Sequence, residues 1–234
     1  MTAPIPVPAA LSAAYASWCA RGRPSQAPVT IPAHRWRAAF ARETALTRLP
    51  ERLDRDALSA IFARARGEQQ ILQPFFAVMA WGYGTAGYGP SRTKRIIVAN
   101  ADLASRLATA ARLARDAGGA EAFAYLRGHR IAYLGPAFAT KFLFFAGRGT
   151  EAKLPGLILD SKLRSWLCTH TGWRPGGTWQ VDYNRYLRTI ADWAGRLESP
   201  GLAPETVEEL IFTSHSATTA SAQKACSHPA SARL

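Results

Sequence analysis

Apolar residues recur along most of this chain at three- and four-residue spacing, which predicts helices. "HRWRAAFARETALTRL" reads as a helix that ends before Pro50. "DRDALSAIFARARG" starts from a cap at Asp54 or Asp56 and stops at Gly67. "EQQILQPFFAVMAW" is apolar on nearly every face, the pattern of a buried helix, with Pro74 tolerated in its first turn. "DLASRLATAARLARDAGG" gives the clearest signals: Asp102 as cap, a stripe of Leu103, Leu107, Ala110 and Ala114, and Gly118 as stop. Further helices are expected at "ALSAAYASW", around 120–127, 137–147, 161–169 and 183–197, and, in a short form, at "PETVEELIF". Only "RIIVA" and "WQVDY" read as strands, and there is no internal repeat. The expected class is mainly α with few or no strands.

Composition divides the chain. Residues 1–33 are rich in Pro and Ala, whereas 213–234 are Ser/Ala/Thr-rich with almost no large apolar side chain. Such a tail cannot bury enough surface to offset its ordering entropy and is expected to be disordered. The 234 residues, 48% of them hydrophobic, suffice for one sizeable core or two interlocked lobes.

Charge narrows the partner. Lys and Arg number 29 against 16 Asp and Glu, a net +13, which favours a polyanion such as nucleic acid or an anionic membrane surface. No secretory signal is visible, and the longest apolar run is about ten residues where a membrane span needs roughly 20. A soluble intracellular protein, not one of the membrane, is expected. Cys19, Cys168 and Cys226 are odd in number and far apart, and the five histidines lack metal-ligand spacing. This argues against a disulfide framework, a zinc site or an iron–sulfur cluster, so neither metal nor other cofactor is expected.

"GYGTAG", residues 82–87, satisfies G-x-G-x-x-G, but the dinucleotide fingerprint needs a strand before it and a helix N-terminus after it. Here a helix-like run precedes and Gly89-Pro90 follows. The stretch reads better as a turn leading into a basic cluster, Arg92, Lys94 and Arg95, with Tyr83 and Tyr88 near enough to stack on bases. An ordinary solvated loop explains it equally well.

"GPAFATKFLFFAG", residues 135–147, carries a single charge, Lys141. On a helix, Phe138, Lys141, Phe142 and Phe145 share a face. A lone lysine there usually snorkels its ammonium to the surface. If buried instead, it favours the neutral amine, able to attack an electrophilic carbon. Nineteen residues on, "LILDSKL" sets Asp160 between an apolar run and another helical pattern, where it can cap the helix or turn its carboxylate to a reaction.

"LGPAFATKF", a Gly/Pro-containing loop and "LILDSKL" resemble the helix-hairpin-helix DNA glycosylase superfamily, in particular its 8-oxoguanine glycosylase-like branch, over residues 131–167. Bacterial members of that branch include an antiphage glycosylase acting on glucosylated hydroxymethylcytosine. The resemblance implies a two-lobed helical fold, a glycosylase domain over 1–212, Lys141 as nucleophile and Asp160 as catalytic aspartate. It further implies double-stranded DNA with a modified base as partner, no cofactor and a monomer. Ala137, Ala139 and Thr140 of the hairpin, with Lys162, Arg92, Lys94 and Arg95, are the expected DNA contacts. Ala137 and Ala139 stand where family hairpins usually carry glycines. The base must leave the stack, which calls for an aromatic pocket. Trp18, Trp36, Trp81, Phe144 and Trp166 are candidates for it, though each suits a core equally.

The expected reaction is excision of a modified base, with strand cleavage through a lysine Schiff base. The substrate is a hypermodified phage base such as α-glucosyl-hydroxymethylcytosine, or 8-oxoguanine. The alternatives are a non-catalytic, basic, helical nucleic-acid-binding protein and a basic module recruited to membranes or acidic proteins.

Overall fold

The computed structural model describes residues 4–40, 49–65, 67–152, 154–198 and 201–218. It is mainly helical, as the periodicity predicts, and its chain divides into two compact units. The larger is Ser25–Ile158; the smaller joins Met1–Pro24 to Leu159–Leu234.

The larger unit begins with a two-residue strand pair, β1 (Val29–Thr30) antiparallel to β2 (Arg52–Leu53), with α2 (Ala33–Ala39) between them. The rest of the helix expected beyond α2 falls at 41–48, outside the described residues. Then come α3 (Arg55–Arg64), α4 (Gly67–Gln70), α5 (Leu72–Tyr83), α6 (Gly89–Val98), α7 (Leu103–Asp116), α8 (Gly119–Gly128) and α9 (Pro136–Gly147). Asp54 caps α3 by accepting from the Ala57 N–H at 2.7 Å. Asp102 sits at the start of α7 without capping it; its carboxylate is taken by Arg106, one turn on, at 2.7 Å.

Helix α9 is the hub. From Ala139 to Gly147 every residue is buried, Lys141 included, so beyond its half-buried first turn the helix has no solvent face. Phe142 packs edge-on to Phe62 of α3 and to Phe75 of α5, and Trp81 stands edge-on to Phe145. Each such ring removes on the order of 2–3 kcal/mol worth of apolar surface from water. A Cβ on Gly147 would lie 2.7 Å from the Ala114 carbonyl oxygen, so glycine sets how closely α9 approaches α7.

Glycine matters most at 119. A Cβ there would lie 2.4 Å from Gly156 Cα and 2.7 Å from its nitrogen, backbone that cannot swing aside. Gly119→Ala is expected to cost about 3 kcal/mol, read as a lowered midpoint in urea. An unchanged midpoint would mean that the 154–156 segment gives way.

"RIIVA" is not a strand. Ile96 and Val98 belong to α6, whose buried positions Pro90, Thr93 and Ile96 recur every three residues while Val98 is 77% exposed. The helical period of the whole segment outweighs the β preference of three branched residues. The basic cluster therefore lies on a helix. "WQVDY" likewise opens α11.

In the smaller unit, α1 (Ala9–Ala20), α10 (Ser161–Thr171), α11 (Trp179–Leu197) and α12 (Pro204–Thr218) enclose Leu11, Trp166, Tyr186, Trp193 and Ile211. The Pro/Ala-rich beginning of the chain is tied down here. Trp193 Nε1 donates to the Ile5 carbonyl at 2.9 Å, and Glu198 accepts from Tyr15 at 2.5 Å while pairing with Arg23 at 3.0 Å. Helix α12 runs six residues past the point where the composition changes; the rest of that tail, 219–234, lies outside the described residues. Cys19 is a free thiol. No described helix is long and apolar enough to cross a membrane.

Candidate active site

Lys141 sits in the middle of α9, only 7% exposed. It does not snorkel. Its stem runs past Gly82 of α5, where a Cβ would lie 3.3 Å from Lys141 Cδ and 2.5 Å from Phe138 Cε1. The ammonium lies 5.7 Å from the centre of the Phe138 ring. Phe138 in turn leans on Tyr83, with ring centres 4.5 Å apart, and Tyr83 stands edge-on to the exposed Tyr88. Phe138 and Tyr83 are half-buried, so the lysine is bordered by an aromatic wall that solvent reaches. Burial pushes the Tyr83 hydroxyl above its ordinary value, against the pull of a hydrogen bond from Arg92.

The expected DNA contacts divide by exposure. Arg92, Lys94 and Arg95 are exposed on α6, Arg92 4.8 Å above the Tyr88 ring and Arg95 3.8 Å above that of Tyr133. Ala139 and Thr140 are buried, and the Thr140 hydroxyl donates to the Ala137 carbonyl at 3.1 Å, so at this point the hairpin turns little side chain outward. Trp36 and Phe144 are wholly buried and Trp81 nearly so, Trp36 stacked on Phe40 and Phe144 under the Arg55 guanidinium.

In the smaller unit, Asp160 caps α10. Its Oδ1 accepts from the N–H groups of Lys162 at 3.0 Å and Leu163 at 3.3 Å. Lys162 is exposed with its ammonium 4.4 Å from the Phe212 ring of α12. Trp166, wholly buried, lies against His170 with ring centres 4.5 Å apart. Trp18 is half-buried beneath Arg23.

Sequence reasoning missed two histidines in this unit. Burial lowers the pKa of His170, helped by His215; burial also lowers that of His215, helped by the Lys162 charge and opposed by Asp160. A value depressed in the folded chain means that the unfolded chain binds more protons. The stability is thus complete above the ordinary histidine value of 6.5 and is lost as pH falls below it. The melting temperature is expected to drop between pH 7.5 and 5.5, and less steeply in a His170→Gln/His215→Gln double variant. Parallel profiles would remove both histidines from the cause.

A family model described as "Putative 8-oxoguanine DNA glycosylase OGG-like protein" matches residues 22–212. The chain belongs to this OGG-like family. The match takes in both Lys141 and Asp160. No curated protein and no solved structure matches the chain. Membership in the OGG-like family implies DNA glycosylase activity on a DNA substrate.

Proposed function

We propose that this OGG-like protein removes a modified base from double-stranded DNA with Lys141 as nucleophile and Asp160 as electrostatic stabiliser, and that it then cleaves the strand as a lyase. What carries the reading is Lys141: a primary amine 7% exposed in the interior of a helix, with Phe138 and Tyr83 open to solvent beside it. A primary amine is the side chain that can add to an electrophilic sugar carbon and go on to form a Schiff base.

The chemistry balances within the substrate and these residues. As the N-glycosidic bond breaks, its electron pair leaves with the base, and positive charge builds on the sugar. The Asp160 carboxylate opposes that charge. The Lys141 nitrogen gives its lone pair to C1′ and loses a proton, while the departing base takes one up. The C1′–O4′ bond then breaks, O4′ taking up a proton, to give a Schiff base, and loss of a C2′ proton to water expels the 3′ phosphate by β-elimination. Residues 131–167 carry both groups, within a catalytic domain over 1–212, and Arg92, Lys94, Arg95 and Lys162 supply charge for the phosphates. The chain acts as a monomer in the cytoplasm or at the nucleoid.

For the substrate, the reading favours a hypermodified cytosine carrying a sugar, as in phage DNA, over 8-oxoguanine. An oxidised guanine needs a close pocket with fixed hydrogen bonds, whereas a glucosyl group needs an open, polar one. "GYGTAGYGPSRTKR" and "THTGWRPGGTWQ" are rich in Gly, Thr and aromatics, residues that suit a sugar. The test incubates the protein with duplexes containing 8-oxoguanine, cytosine, hydroxymethylcytosine or its α-glucosyl form, measuring free base and borohydride-trapped adduct. Release of the glucosylated base with trapping is expected. Preferential release of 8-oxoguanine would replace the phage-base reading with repair. DNA binding without release or trapping would leave a non-catalytic binding protein.

A further inference from the structure

Between α8 and α9 the chain turns through Ile131–Leu134, closed by the Leu134 N–H donating to the Ile131 carbonyl at 3.2 Å. The third residue of this turn, Tyr133, has φ +67°, a left-handed conformation that glycine adopts freely and a bulky L-residue rarely does. Its ring is not buried in compensation: Tyr133 is 58% exposed.

The strain is imposed from outside the turn. Asn100, buried at the end of α6, grips Ala132 from both sides, its Oδ1 accepting from the Ala132 N–H at 2.8 Å and its Nδ2 donating to the Ala132 carbonyl at 3.2 Å. The same Nδ2 donates to the Ile96 carbonyl at 2.7 Å, which fixes the clamp to α6. Arg106 holds the near side of the turn by donating to the Arg130 carbonyl. Strain that the surroundings over-determine in this way points to a use. From α6, Arg95 lays its guanidinium 3.8 Å over the Tyr133 ring, and a cleft of about 240 Å³ opens alongside, walled in part by Arg127, Arg130, Tyr133 and Pro136.

We propose that Tyr133, held upright by Asn100 and backed by Arg95, is a stacking platform for a DNA base that has lost its stacking partner. An exposed ring accepts any base, because every base has a π-face, and exposed guanidinium groups around it meet the flanking phosphates. The proposal rests on the glycosylase reading, since base extrusion is what leaves a base unstacked.

The experiment measures affinity for a duplex with a tetrahydrofuran abasic analogue and for the same duplex without it, together with melting temperature, for wild type, Tyr133→Phe, Tyr133→Ala and Tyr133→Gly. Wild type and Tyr133→Phe are expected to prefer the abasic duplex. Both other variants are expected to lose about tenfold on it and little on the continuous one. Tyr133→Gly is expected to melt a few degrees above Tyr133→Ala, because glycine relaxes the positive φ and alanine does not, yet to bind no better. Affinity that follows melting temperature through the series would reduce Tyr133 to a structural role, and equal affinity of Tyr133→Ala and wild type would overturn the proposal outright. So would a wild type indifferent to the abasic site. Base release by the wild type, measured in parallel, tells loss of this inference alone from loss of the glycosylase reading.

Discussion

Lys141→Gln is expected to abolish borohydride trapping and to slow base release on the order of 10³-fold or more, with the fold retained. Glutamine keeps the chain out to the Cδ that passes Gly82 and ends in a polar, non-basic amide one atom short of the amine. It cannot form a Schiff base. Arginine is a poorer probe, because it would bring a permanent charge and a larger head into a position only 7% exposed. Single-turnover release from the preferred duplex, trapping on the same duplex and far-ultraviolet circular dichroism together check the result. Trapping by a folded Lys141→Gln protein would place the nucleophile elsewhere.

Asp160→Asn is expected to separate two roles that one side chain holds. As the cap of α10, Asp160 accepts from the Lys162 and Leu163 N–H groups, and asparagine accepts equally well at this position. As a stabiliser of charge it has no neutral substitute. Removal of a preorganised electrostatic partner typically costs 10²- to 10³-fold in rate. The expected variant melts close to wild type, binds the duplex as tightly, and excises about 10²- to 10³-fold more slowly. Excision at the wild-type rate would leave Asp160 with its cap alone. A fall in melting temperature large enough to match the loss of rate would show that the cap, not the charge, had been disturbed.

Where the signal was local, the chain could be read. Asp54 caps α3, Gly118 ends α7, and Tyr183, Tyr186, Ile190 and Trp193 bury one side of α11 at helical spacing. Lys141 stood out because a charge amid aromatic residues is visible in the sequence itself. Its surroundings were not visible in that way. Gly82 and Tyr83 are more than fifty positions earlier, and only the packing of α5 on α9 brings them to the lysine; in the sequence Gly82 belonged to a false nucleotide fingerprint. "RIIVA" misled because strand preference is a statement about pleated surfaces, and α6 meets none. Tyr133 gave no warning at all. Nothing marks a tyrosine as left-handed until the Asn100 clamp and the turn are seen together. His170 and His215 escaped because their pairing depends on two helices far apart in the chain.

The bare Cα of Gly82 carries an implication for how such chains can diverge. The atoms that a side chain at 82 would strike belong to the Phe138 ring and the Lys141 stem. A descendant that gains even a methyl group at 82 must therefore shrink or turn residue 138 in compensation, because the closest approach, 2.5 Å, is to the Phe138 ring. Across related sequences, then, positions 82 and 138 should change in concert, so that the aromatic wall beside the amine leaves its trace in the inheritance of two residues that take no part in breaking a bond.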